Sequence, residues 1–102
     1  MSAEIIKIDI KNYRIELLSN AAKVLSEGGL VVFPTETVYG IGANANIPSA
    51  VKRLYEVKNS PETRPFTIHL ASAEDVYCHT TTVPRLALRL IKAFWPGPLT
   101  LV

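Results

Sequence analysis

The segment Gly28-Gly29-Leu30-Val31-Val32-Phe33-Pro34 constrains this chain more than any other stretch of it. Paired glycines end a preceding helix, because glycine enters the left-handed region without a steric penalty. The apolar run Leu30 to Phe33, closed by Pro34, has the pattern of a strand buried on both faces. Upstream, from Arg14 to Glu27, Leu17, Leu18, Ala21, Val24 and Leu25 recur at spacings of three and four, which predicts an amphipathic helix. Earlier still, Ile5, Ile6, Ile8 and Ile10 form a β-branched run that predicts a strand over Glu4 to Ile10. Strand, helix and strand in that order predict an α/β layer.

Beyond Phe33 the character changes. Pro34 to Gly42 is a loop rich in Thr and Gly that leaves the carboxyl end of the apolar strand, the position where open α/β sheets bind ligands. A helix is predicted over Pro48 to Lys58, with proline in its first turn and Val51, Leu54 and Tyr55 on one face. Asn59 to Pro65 breaks it, carrying Pro61 and Pro65. Phe66 to Leu70 alternates as a strand, Ser72 with Asp75 forms a capping-box pattern, and Pro84 to Phe94 carries a helical stripe of Ala87, Leu90, Ile91 and Phe94. Pro96-Gly97-Pro98 predicts a tight turn before Leu99 to Val102, which has strand character. Stopping inside an apolar run, the sequence is expected to be part of a longer protein.

Composition narrows the class. With 102 residues, 48% hydrophobic and 20% charged, the chain has the size and balance of one folding unit and is not a disordered segment. A net charge of +2, with Lys and Arg dispersed, provides no polybasic arm for nucleic acid or an anionic membrane. The single cysteine, Cys78, allows no internal disulfide, and no His/Cys spacing forms a zinc site, so a cytoplasmic location is expected. No span of about 20 apolar residues is present, and the first nine residues do not read as a signal peptide.

Three groups are candidates for chemistry. Thr35, Glu36, Thr37 and Tyr39 place two hydroxyls, a carboxylate and a phenol among exposed amides, a set that suits a zwitterion such as an amino acid. The competing reading is a plain turn whose threonines bond their own backbone. Lys58, Ser60 and Arg64 offer two cations and a hydroxyl to a polyphosphate, against the alternative of solvated charges at a helix end. His69 would share a strand face with Thr67, opposite Phe66, Ile68 and Leu70, or else be a surface histidine. Cys78 and His79 have no partner spacing, and Phe94 and Trp95 read as packing residues. No phosphate loop or dinucleotide glycine fingerprint is present.

Taken together, the stretch from Gly28-Gly29-Leu30-Val31-Val32-Phe33 through Pro34-Thr35-Glu36-Thr37-Val38-Tyr39-Gly40-Ile41-Gly42-Ala43 closely resembles the signature of the YrdC-like family of threonylcarbamoyl-AMP synthases. Tyr55-Glu56-Val57-Lys58, Pro65, His69 and Phe94-Trp95-Pro96-Gly97-Pro98-Leu99-Thr100-Leu101 follow in the family's order. The resemblance implies an α/β fold with a twisted open mixed sheet and flanking helices, incomplete at the carboxyl end. It also implies L-threonine, bicarbonate and ATP as substrates, with Mg2+ accompanying ATP. The product would serve tRNA threonylcarbamoyladenosine modification, reaching tRNA directly or through a partner transferase. By the same resemblance, Thr35, Tyr39 and His69 would bind threonine. Lys58, as the catalytic cation, would bind nucleotide together with Ser60 and Arg64.

Two departures from the family pattern stand out. The family's Lys-x-Arg is Lys58-Asn59-Ser60 here, and Arg64 stands where the family commonly has asparagine. The family's Ser-x-Asn element is expected beyond residue 102, so these residues alone are expected to be inactive. Two rivals remain at this level. One is a carbamoyl adenylate chemistry without threonine. The other is a non-catalytic module binding double-stranded RNA or tRNA, for which Ser60 is the best support.

Overall fold

The computed structural model describes residues 3–102. The chain forms two compact units, the first ending at Arg64 and the second running Pro65–Val102.

In the first unit, a 3₁₀ turn over Ile15–Leu18 leads into helix α1, Ser19–Ser26. The predicted helix is therefore present, with its opening turn wound more tightly and its end one residue early. Its stop follows from the glycine pair. Gly28 takes φ 88°, its amide bonds the Leu25 carbonyl at 3.1 Å, and the Gly29 amide bonds the Val24 carbonyl at 2.8 Å. That is the Schellman arrangement, and it satisfies carbonyls the helix would otherwise leave bare.

Strand β1, Val31–Phe33, pairs antiparallel with β2, Gly40–Gly42, in the register Val31 to Gly42, Val32 to Ile41 and Phe33 to Gly40. Helix α1 packs on β1. The short β2 needs its glycines because the Phe33 ring lies across them: a Cβ on Gly42 would sit 2.9 Å from Phe33 Cε1. An aromatic residue covering cross-strand glycines replaces the side-chain packing they lack.

Two expectations change here. The strand predicted as buried on both faces has Val32 62% exposed, because β1 is hydrogen-bonded only to β2 among the described residues. Glu4 to Ile10 forms no strand, since a β-branched run becomes one only beside a partner, and Ile5 and Ile10 are exposed.

After β2, the Asn44 side chain accepts the Asn46 amide at 2.9 Å and the Asn44 carbonyl accepts the Ile47 amide at 3.1 Å. That Asx turn delivers the chain into helix α2, Pro48–Lys58, whose bounds are those predicted. Pro48 starts it, where a missing N–H costs nothing, and Ala50 and Leu54 bury the inward face. Asn59, at φ 52°, ends it.

In the second unit, Ser72 and Asp75 close a reciprocal capping box on a 3₁₀ segment, Ala73–Cys78. Helix α3, Arg85–Phe94, buries Ile91, with Ala87 and Leu90 half-buried and Phe94 exposed. The Trp95 indole N–H donates to the Leu99 carbonyl at 2.9 Å and folds the Pro96–Pro98 turn back on itself. Phe66 to Leu70 and Leu99 to Val102 are not strands, for the same want of a partner among the described residues. No helix among the described residues is long and apolar enough to cross a membrane.

Candidate functional site

The β1–β2 connection is built around one hydroxyl. Thr35 Oγ1 accepts the amides of Thr37 at 3.3 Å and Val38 at 3.2 Å, and donates to the Val38 carbonyl. A side-chain oxygen substituting for backbone partners is what allows the chain to leave Phe33 and return in register at Gly40. Both sequence readings of this loop thus meet in one residue: Thr35 organises the turn, and the turn holds up what lies beside it. Tyr39 is 75% exposed, and Val38, Glu36 and Thr37 are exposed with it. The loop therefore presents a phenol, a carboxylate and a hydroxyl to solvent on a framework fixed by Thr35.

This arrangement predicts a contrast between two substitutions. Thr35→Val removes the oxygen while keeping the shape, and is expected to cost about 1 kcal/mol and speed amide exchange at Thr37 and Val38. Thr35→Ser keeps the oxygen and is expected to leave exchange at those two amides within about twofold of wild type. Hydrogen exchange resolved to single amides measures both.

The second group lies at the end of α2. Asn59 in the left-handed region lets its amide bond the Glu56 carbonyl at 3.1 Å and the Ser60 amide bond the Tyr55 carbonyl at 3.0 Å. Asparagine accepts this conformation more readily than other non-glycine residues. The chain then turns again, the Arg64 amide bonding the Pro61 carbonyl at 3.0 Å. The Tyr55 hydroxyl donates to the Arg64 carbonyl at 2.8 Å. One tyrosine thereby ties the far end of the loop to the last turn of the helix that carries Lys58. Lys58 and Arg64 are exposed, and Ser60 is half-buried.

Thr35 and Tyr39 therefore share one loop, and Lys58, Ser60 and Arg64 share one helix end, all within the first unit. His69 belongs to the second unit, exposed with Thr67 on an extended segment in which Phe66 and Leu70 are half-buried. Ile68 is also exposed, because the segment is not a regular strand with two distinct faces. Sequence reasoning gave no role of their own to Tyr55 and Asn59, which it placed as a helix-face residue and a helix breaker within stretches compared with the family pattern. A turn-prone Asn directly after a helix ending in Lys58 was the available signal for the second of these. Among the described residues no three His, Cys, Asp or Glu side chains cluster to hold a metal ion.

A family model described as telomere recombination, covering the Sua5, YciO and YrdC proteins, matches residues 23–102. The chain is 50% identical over 93 residues to threonylcarbamoyl-AMP synthase of Pyrococcus abyssi, covering 91% of this chain and 26% of that protein. It is 46% identical over 85 residues to the Bacillus subtilis threonylcarbamoyl-AMP synthase, covering 83% of this chain and 25% of that one. Among solved structures, it is similar to P. abyssi Sua5 complexed with L-threonine, with TM-score 0.81 and 46% identity over 85% of this chain and 26% of that chain. A substituted variant of P. abyssi Sua5 gives TM-score 0.82 at 45% identity, over 86% of this chain and 27% of that chain. The chain thus spans about a quarter of the length of these relatives. With 80 of its residues inside the family match, from 23 to 102, the chain belongs to the Sua5/YciO/YrdC family.

Proposed function

We propose that this chain is part of an L-threonylcarbamoyladenylate synthase, which forms threonylcarbamoyl-AMP and pyrophosphate from L-threonine, bicarbonate and ATP. The observation that carries this reading is the likeness, at 46% identity and TM-score 0.81, to a relative whose structure is complexed with L-threonine. The β1–β2 loop supports it, because its ordered turn presents polar groups of the kind an amino acid engages.

In this reading the threonine amine adds to bicarbonate-derived carbon dioxide, losing a proton and forming an N-carboxylate. An oxygen of that carboxylate attacks the α-phosphorus of ATP, and the bond to the bridging oxygen breaks to release pyrophosphate. Thr35, Tyr39 and His69 are assigned to threonine. Thr35 acts through the turn it holds, and Tyr39 through a phenol that is exposed to solvent. Lys58 is assigned to the negative charge that develops on the transferring phosphate, and Ser60 and Arg64 to the nucleotide. Lysine suits that task as a compact charge with three donors on a flexible stem.

Magnesium enters as the counterion of ATP phosphates. The described residues contain no ligand cluster for a resident ion, so no step is assigned to a metal held by them. A cytoplasmic enzyme supplying tRNA modification, directly or through a partner transferase, is the setting this reading gives the protein. Because the chain spans about a quarter of its relatives, residues 1–102 alone are expected to be inactive.

A second reading is a non-catalytic module of the same fold that binds double-stranded RNA or tRNA. The observation favouring it is Ser60, where a cation would stand in the resembled pattern. The product separates the two readings. Incubating the full-length protein with all three substrates and analysing by mass spectrometry is expected to reveal threonylcarbamoyl-AMP. Its absence, together with salt-dependent RNA binding, would favour the module.

A further inference from the structure

We infer that Tyr55 is a positioning residue for nucleotide binding: its hydroxyl, bonded to the Arg64 carbonyl, holds the loop after α2 so that the Arg64 cation serves the same phosphates as Lys58. This inference rests on the synthase reading above. Three observations within the first unit carry it. The α2 helix ends on a left-handed Asn59, so the chain reverses sharply after Lys58 instead of running on. The reversal is closed by a second turn between Pro61 and Arg64. Across the reversal runs a tertiary hydrogen bond, from Tyr55 Oη to the Arg64 carbonyl at 2.8 Å, joining residues nine apart in sequence.

The chemistry of that bond separates position from charge. Tyr55 grips the backbone of Arg64, so the guanidinium remains available for a ligand while its root is fixed. Lys58 lies on the same helix, three residues beyond Tyr55, and its backbone is held by the same last turn. Two cations anchored to one short frame bind a polyphosphate with less ordering cost than two cations on a mobile loop. The arrangement also gives a physical account of Ser60. A loop braced in this way supplies its second cation from position 64 and has no need of one at position 60.

The test is Tyr55→Phe in the full-length protein, which keeps the ring and its packing and removes only the hydroxyl. Expected are faster exchange of the amides from Asn59 to Arg64 and a KM for ATP raised about fivefold, the equivalent of one neutral hydrogen bond. The KM for threonine and kcat are expected to stay within about twofold, a split that general destabilisation would not produce. Arg64→Ala, which retains the carbonyl, is expected to raise the KM for ATP without faster exchange in the loop. Unchanged exchange in Tyr55→Phe would overturn the bracing role. Faster exchange with an unaltered KM for ATP would overturn the link to nucleotide. If the wild-type protein shows no ATP-dependent reaction at all, the synthase reading itself falls, and the inference falls with it.

Discussion

Replacing Lys58 by alanine in the full-length protein is expected to lower kcat for pyrophosphate release on the order of a hundred- to a thousandfold, the effect of deleting one preorganised donor to a developing negative charge. The expectation follows from where Lys58 stands. It is the last residue of α2, and the helix ends by turning through Asn59, so its backbone is fixed although its side chain is exposed. The carbonyls of Tyr55 and Glu56 already receive the amides of Ser60 and Asn59. Those two carbonyls at the helix end are thus satisfied by backbone amides. Lys58→Arg retains charge but spreads it over a planar fork, and is expected to recover only part of the rate. A Lys58→Ala protein that turns over like wild type, measured at saturating ATP and threonine, would remove Lys58 from the chemistry.

Leu54→Ala carries the largest expected effect on stability, a loss of about 2–5 kcal/mol. Leu54 is 6% exposed and Ala50, one turn earlier on the same face, 1%; these are the buried apolar side chains of the first unit among its described residues. The consequence extends to the candidate site, because α2 carries both Lys58 and Tyr55. Val57→Ala, at a position exposed on the same helix, is expected to stay within about 0.5 kcal/mol and serves as the control. Denaturant unfolding of the two variants side by side measures the contrast. Equal midpoints would show that α2 is not held by the face that the structure buries.

The parts of the fold legible in the sequence were those with local causes. Helix α2 begins and ends at the predicted residues because Pro48 starts it and the Asn59 turn stops it, both short-range effects. Gly28 and Gly29 ended α1 for the reason their conformational freedom suggested, and the Ser72–Asp75 capping box formed as its spacing implied. Strands were harder to read. Ile5 to Ile10, Phe66 to Leu70 and Leu99 to Val102 have β-prone composition, yet strand formation depends on a neighbouring chain that no local pattern specifies. The same dependence explains Val32, whose apolar context suggested two covered faces while, among the described residues, β1 has only β2 beside it.

For the candidate site, residue types were legible and their supports were not. Thr35, Tyr39, Lys58, Ser60, Arg64 and His69 were identified from chemistry and resemblance, and the structure groups the first five onto two elements of one unit. The hydrogen bond from Tyr55 to the Arg64 carbonyl joins a side chain to a backbone group nine residues away, and no periodicity announces such a link. The double role of Thr35, polar group and turn-holder, also emerges only when its amide partners are seen.

The most direct test of the account is pyrophosphate release from ATP by the full-length protein, with bicarbonate present, measured with and without L-threonine. The synthase reading predicts release that requires threonine and disappears when bicarbonate is withheld. Equal release without threonine would contradict it in favour of another carbamoyl adenylate chemistry, and no release under any condition would contradict the assignment of these residues to catalysis.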